Sequence, residues 1–122
     1  MQYVLLIYGD EAAGTERFEQ MSEEERNADM AGWYGYTQAL KDAGVYVAGE
    51  ALQPTATATS VRVENGSPVV TDGPFAETKE ALGGFYIIDV DSQEQANDWA
   101  AKIPSAPHGP VEVRPVMVFP DA

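Results

Sequence analysis

The sequence contains no cysteine among its 122 residues. Disulfide bonds, thiol nucleophiles and thiolate metal ligands are therefore excluded. It also has no apolar run near the roughly 18 residues of a membrane helix, and its start, MQYVLLIYGD, lacks the features of a signal peptide. We therefore expect a cytoplasmic protein with no membrane partner.

Basic residues are scarce in the chain. Seven Lys and Arg residues stand against twenty Asp and Glu residues, which gives a net charge of −13 and a pI near 4.1. A polyanion would be repelled by this charge, so we expect no direct binding of nucleic acid. A dispersed acidic surface usually confers solubility, but it can also attract a cationic partner.

A capping box marks the start of the first predicted helix. Ser22 can accept a hydrogen bond from the backbone three residues on, and Glu25 can return one. Gly44 is predicted to end the helix, because glycine tolerates the left-handed conformation that follows many helices. Gly32 and Gly35 inside the helix suggest close packing against another element. Residues at helical spacing indicate its inward face: Met30, Trp33, Thr37 and Leu40.

The remaining elements are strands and one more helix. Asn65-Gly66 is a strong hairpin signal, because both central positions of a type I′ turn need positive φ. A second capping box, Ser92 with Gln95, opens a helix that Pro104 terminates. Strands are predicted over residues 1–8, 45–52, 57–64, 67–71, 84–90 and 111–118, and residues 9–20 are predicted to form a polar connection.

The element order is β-α-β-hairpin-β-α-β, which predicts an α+β fold. Two helices separated by strands in this way are typical of the ferredoxin-like split βαβ arrangement, with both helices on one face of an antiparallel sheet. The chain shows no linker and no internal repeat. We therefore expect residues 1–122 to form one domain with an added β-hairpin.

Both faces of the predicted sheet are apolar, although a sheet half exposed to water should alternate apolar with polar residues. The helices can cover only one face. We therefore predict a two-fold homodimer packed sheet to sheet, with a cleft for a small molecule where the sheets diverge; a dry, filled interface is the alternative. The first strand illustrates the pattern, with Tyr3, Leu5 and Ile7 on one face and Val4, Leu6 and Tyr8 on the other.

The segment TDGPFAETKEALGG, residues 71–84, places a charged turn before a buried strand. Asp72 begins a turn with glycine and proline, and Phe75 is predicted to anchor this turn by burying its ring. A structural interpretation fixes the loop on the sheet edge, with Lys79 paired to Glu77 or another carboxylate. A functional interpretation places Asp72, Glu77 and Lys79 at the cleft mouth as acid, base or ligand contacts.

This segment resembles the YCII-related family in its DGPF-domain branch, together with MQYVLLIYGDEA at the start, AGVYVAGEALQPTATATSVRV in the middle and VEVRPV near the end. The resemblance extends from about Tyr3 to Met117. It implies a ferredoxin-like dimeric α+β barrel whose biochemical role is generally unassigned. Since relatives are often encoded beside extracytoplasmic-function sigma factors, it also implies a sigma factor as a partner.

In the wider superfamily a His–Asp pair in the cleft has been suggested as catalytic. The resemblance carries over the acidic member, Asp72, whereas Trp33 stands about where the histidine of the first helix would lie. His108, the only histidine, lies in the last loop and is the candidate for acid–base work, because imidazole titrates near neutral pH; a surface role is the alternative. Trp33, Phe75 and Tyr86 are predicted to contact the ligand.

No Gly-rich phosphate loop, Ser–His–Asp arrangement, metal-ligand cluster or calcium loop is visible, so we expect no cofactor and no metal. Three functions remain open. The first is a small-molecule binding protein or enzyme with a cleft at the dimer interface. The second is a regulatory protein that acts with a sigma factor through its acidic surface, and the third is a structural module without a ligand. We favour the first, although the sequence names neither a substrate nor a reaction class.

Overall fold

The computed structural model describes residues 1–121 and contains six strands, three helices and a 3-10 turn at Thr55–Thr57 in that range. No helix in this range is long and apolar enough to cross a membrane. The helices are α1 (Glu11–Gln20), α2 (Glu23–Asp42) and α3 (Gln93–Ala101). The strands are β1 (Gln2–Gly9), β2 (Tyr46–Ala51), β3 (Thr59–Glu64), β4 (Ser67–Asp72), β5 (Ala81–Asp89) and β6 (Val111–Pro115).

Four strands form an antiparallel sheet in the order β2-β5-β1-β6. Strands β1 and β5 are central; β1 is followed by helices α1 and α2 before edge strand β2, and β5 is followed by α3 before edge strand β6. The remaining strands, β3 and β4, form a separate two-stranded sheet. The predicted ferredoxin-like α+β fold with an added hairpin is therefore confirmed.

The core lies between one face of the four-stranded sheet and helices α2 and α3. Leu5, Leu40 and Ile88 are fully buried there. Tyr36 meets Tyr86 edge to face, with ring centroids 5.3 Å apart. The Tyr36 hydroxyl also donates a hydrogen bond of 2.8 Å to the backbone oxygen of Trp99 on α3. This bond joins the two helices and satisfies the polar end of a buried ring.

The start of α2 confirms the first capping box. Ser22 Oγ accepts from the Glu25 backbone N–H at 3.1 Å, and Glu25 Oε1 accepts from the Ser22 backbone N–H at 3.1 Å. The bond from the Ser22 backbone N–H favours the charged carboxylate and so lowers the pKa of Glu25. At α3, Ser92 Oγ accepts from the Gln95 N–H, but the Gln95 side chain accepts from Asp91 instead of Ser92. The cap of α3 is therefore a variant of the predicted box.

The inward face of α2 differs from the prediction at two positions. Leu40 is fully buried, and Trp33 and Thr37 are half-buried as expected. Met30, by contrast, is 53% exposed, because it lies toward the start of the helix beyond the core. Tyr36 is buried instead, since it packs between the sheet and α3.

The predicted close packing at the two glycines of α2 is wrong for the single chain. A Cβ atom added at Gly32 or Gly35 would meet no other atom within 4 Å. Both positions are therefore open, and glycine is not needed there for space.

Residues 9–20 were predicted as a polar connection, but Glu11–Gln20 within them forms helix α1. Asp10 caps α1, because its Oδ1 accepts a hydrogen bond of 3.0 Å from the Ala13 N–H. The helix has no buried residue, so it lacks the periodic apolar pattern that would reveal it in the sequence. Arg26 of α2 stacks on Phe18 with its guanidinium 4.0 Å from the ring centroid, and it donates two hydrogen bonds to the Phe18 oxygen.

The hairpin of β3 and β4 is almost wholly exposed. Its turn is as predicted, since Asn65 and Gly66 have φ of 50° and 79°. Strand pairing places Val61 opposite Val70 and Val63 opposite Pro68, so these side chains share one face. In the single chain this apolar face is uncovered.

Candidate functional site

A cavity of about 640 Å³ lies at the end of the sheet where β1 and β2 finish and β5 begins. Residues of α1, of α2 and of the turn before β6 complete its wall. The cavity therefore forms within one chain, whereas a cleft between two copies was predicted from the sequence.

Six aromatic side chains contribute to the cavity wall. Tyr86 is held by a 2.8 Å hydrogen bond between its hydroxyl and Thr37 Oγ1 on α2. The Tyr46 ring meets the Tyr86 ring edge to face, with centroids 6.5 Å apart. These contacts fix the ring before any ligand arrives, which favours a preformed site. The aromatic lining residues are Tyr8, Trp33, Tyr34, Tyr46, Phe85 and Tyr86.

Glycines in β2 and β5 shape this wall. A Cβ atom at Gly49 would lie 2.6 Å from Cδ1 of Tyr86, so only glycine lets the ring lie against β2. A Cβ atom at Gly84 would lie 2.9 Å from the backbone oxygen of Glu50. The two glycines thus allow the strands and the tyrosine ring to approach closely.

Carboxylates outnumber cations in the wall. The acidic lining residues are Asp10, Glu11, Asp29 and Glu50. Glu11 is already engaged, because its two oxygens accept from the backbone N–H and the hydroxyl of Thr55 at 3.0 and 2.8 Å. Arg17 is the one Lys or Arg side chain among the described lining residues.

The turn before β6 contributes two further polar groups. The side chain of His108 is exposed but borders the cavity, and the His108 N–H donates to the Ser105 oxygen at 2.8 Å. Gly109 fits against the backbone of Tyr8, where a Cβ atom would collide with the Tyr8 oxygen. Ser105 also lines the cavity, and its Oγ is buried without a hydrogen-bond partner among residues 1–121.

The structure divides the predicted site residues into two groups. Trp33, Tyr86 and His108 line the cavity. The other four, Asp72, Phe75, Glu77 and Lys79, are exposed and do not line it. The two candidate catalytic residues, Asp72 and His108, are therefore not brought together in this cavity.

The exposed segment 73–80 forms bends instead of a helix or strand. Phe75 is 79% exposed, so the predicted burial of its ring is wrong for the single chain. Among residues 1–121, Lys79 has no carboxylate within 4.0 Å. The turn itself is fixed by Gly73, which has a φ of 95° and donates to the Ala58 oxygen at 2.7 Å.

Sequence reasoning missed the contribution of α1 and of Ser105 to the site. Asp10 followed by a helix-forming stretch is a capping signal that could have revealed α1. No comparable signal exists for Ser105, because its burial depends on how the turn folds against β1. Within residues 1–121, no three His, Asp or Glu side chains are grouped as metal ligands.

The chain matches the sequence profile of the YCII-related domain over residues 1–120. This chain belongs to the YCII-related family. It is also 36% identical over 121 residues to an uncharacterized protein of Rhizobium meliloti (strain 1021), and the match covers 98% of this chain and 94% of that protein. The predicted YCII-related family is thus confirmed.

Proposed function

We propose that this YCII-related protein binds a small, predominantly apolar molecule in the cavity beside Trp33 and Tyr86. The observation that carries the proposal is the cavity itself, whose volume of about 640 Å³ falls in the range typical of ligand sites. The surface of its wall is mostly apolar, with six aromatic residues and several polar groups, which is a common composition of such sites. We expect the protein to act in the cytoplasm.

Two polar groups would orient the ligand. Ser105 Oγ has no partner among the described residues, and a buried hydroxyl in this state costs about 1–3 kcal/mol. The oxygen has almost no accessible surface, so a ligand acceptor would reach this hydroxyl only if the turn at Ser105 shifts. His108 borders the same cavity and is our candidate for proton transfer, whereas the position of Asp72 outside the cavity does not support its predicted role.

The cavity can be tested with a matched pair of helix variants. A Cβ atom at Gly14 of α1, which lines the cavity, would meet only the Arg17 guanidinium, at 4.0 Å. Gly14→Leu should therefore fill space in the cavity without a clash, and Gly32→Leu is the control at an open helical site outside the lining. Both changes replace a helix glycine and should stabilise the fold by up to about 1 kcal/mol.

The probes are three benzyl compounds that differ in charge: neutral neopentylbenzene, cationic benzyltrimethylammonium and anionic phenylacetate. Binding is followed by the fluorescence of Trp33 in a Trp99→Phe background, since the chain has two tryptophans. We expect saturable binding of at least one probe, weakened about tenfold by Gly14→Leu and unchanged by Gly32→Leu. Absence of binding by all three, or equal binding to both variants, would contradict the proposal.

We also propose that two copies pair through the sheet face opposite the helices. The proposal is supported by half-buried apolar side chains on that face, where Val4 lies opposite Ile87 and Leu6 opposite Phe85. Leu6→Lys should lower the dimer fraction in sedimentation equilibrium at micromolar concentration, while the exposed change Glu24→Lys should not. A wild-type protein that sediments as a single subunit would refute the pairing.

A regulatory role is the second candidate, and the net charge of −13 favours it. Such a surface would attract a basic protein, and a sigma factor is the partner that the DGPF-branch resemblance suggests. This function predicts a complex with a sigma factor at low ionic strength that dissociates as salt is raised. If purified components form no complex at low salt, this candidate is eliminated.

A further inference from the structure

The cavity wall carries an excess of three negative charges when His108 is neutral, since four carboxylates face one guanidinium. Asp29 on α2 and Glu50 on β2 are the carboxylates without a partner. Neither accepts a hydrogen bond or pairs with a cation among residues 1–121. They come from two different elements that the fold brings to one cavity, so they are not a run of charge along one helix.

The rings in the same wall are suited to a cation. A positive charge is attracted to the face of an aromatic ring, most strongly to tryptophan. The protein uses this contact with its own cations, since Lys41 Nζ lies 5.1 Å from the Tyr46 ring centroid. Among the described residues, no Lys or Arg is stacked on Trp33 or Tyr86. No cation of the protein therefore occupies either ring; Trp33 is half-buried, and Tyr86, which is 9% exposed, offers only a small part of its ring to the cavity.

We propose that the cavity selects a ligand with a positively charged nitrogen, a protonated amine or a quaternary ammonium, next to an apolar body. This rests on the proposed binding function. Asp29 and Glu50 offset the charge of the nitrogen, and Trp33 and Tyr86 contact it and the apolar body. An anionic ligand would meet one guanidinium, that of Arg17, against these carboxylates. The negative charge of the whole protein also raises the local concentration of cations.

The same three benzyl probes test the class of ligand, because neopentylbenzene is the carbon isostere of benzyltrimethylammonium. We expect benzyltrimethylammonium to bind about tenfold more tightly than neopentylbenzene, and phenylacetate to bind most weakly. The double variant Asp29→Asn, Glu50→Gln should lose this preference for the cation and leave the affinity for neopentylbenzene unchanged. Glu24→Gln with Glu64→Gln is the control, because it removes the same charge outside the cavity.

The outcomes separate this inference from the binding function. Binding of neopentylbenzene or phenylacetate as tightly as the cation, with sensitivity to Gly14→Leu, would overturn the cationic class and support binding in the cavity. An equal loss of cation affinity in the control variant would also overturn it, because long-range charge would then explain the preference. If none of the probes binds, both proposals fail.

Discussion

The four-stranded sheet with α2 and α3 differs sharply from the segment 59–80. Three of the four largest fully buried side chains belong to the first region, Leu5, Leu40 and Ile88, and the fourth, Ile103, follows α3. The second region has no buried residue, and its valines and Phe75 are exposed. The most specific sequence motif of the chain, DGPFAETKE, thus lies outside both the core and the cavity. A diagnostic motif and the residues that stabilise a fold need not coincide.

The hairpin explains part of this difference. A two-stranded hairpin alone is marginally stable in water, because it buries little apolar area. Here its backbone pairing is complete from Thr59 to Asp72, but Val61, Val63 and Val70 gain little from burial. We expect this segment to open locally at a lower free energy than the rest of the chain.

The largest effect on the free energy of unfolding is expected when a core side chain is truncated to alanine. The same kind of truncation in the hairpin provides the comparison. Leu40→Ala removes a fully buried side chain and should lower the free energy of unfolding by about 2–5 kcal/mol. Val63→Ala, at a site 72% exposed, should change it by less than about 0.5 kcal/mol. Urea denaturation measures both. A large loss of unfolding free energy for Val63→Ala would show that the hairpin is covered in solution. The two regions would then not differ in burial as described.

An intermediate effect is expected at Tyr36. Tyr36→Phe removes one of two hydrogen bonds to the Trp99 oxygen, which keeps the Lys102 N–H at 3.2 Å, and should cost about 0.5–1.5 kcal/mol at neutral pH. Burial, and to a lesser extent Tyr86, raises the pKa of Tyr36 from its ordinary value of 10.0. The folded state therefore keeps the proton longer than the unfolded state, so the stability due to this tyrosine is present below pH 10 and lost as pH rises further.

The measurement for Tyr36 is the difference in unfolding free energy between wild type and Tyr36→Phe across pH 8 to 11, values chosen to span roughly the ordinary phenol range. This difference should shrink above about pH 10. A difference that stays constant would mean that the phenol titrates alike in both states. Tyr34→Phe is the control, since Tyr34 is 71% exposed.

The smallest global effect is expected at the hairpin turn. Gly66 has a φ of 79°, so Gly66→Ala strains the turn by about 1 kcal/mol. Because the hairpin opens locally, we expect faster amide hydrogen exchange in β3 and β4 with a change in global stability below about 0.5 kcal/mol. An equal loss of protection from hydrogen exchange in the four-stranded sheet and in the hairpin would show that the two regions unfold together.

Local signals predicted much of the fold. The capping boxes at Ser22 and Ser92 and the Asn65-Gly66 turn act between neighbours in the chain, so they can be recognised without the tertiary structure. Helix α1 was missed because its residues are exposed all round, which leaves no periodic apolar pattern. The burial of Phe75 was predicted wrongly for a different reason. An apolar ring shows that burial would be favourable, but it does not show whether the fold brings another element against it.

The sequence by itself determined the six strands in their order, helices α2 and α3 and the α+β class, because periodicity, caps and turns are local properties, and its motifs indicated the YCII-related family. The tertiary structure decided that Trp33, Tyr86 and His108 share a cavity, and that Asp72 lies outside it. These groupings depend on strand register and helix packing over long separations in the chain. No spacing along the sequence encodes them directly.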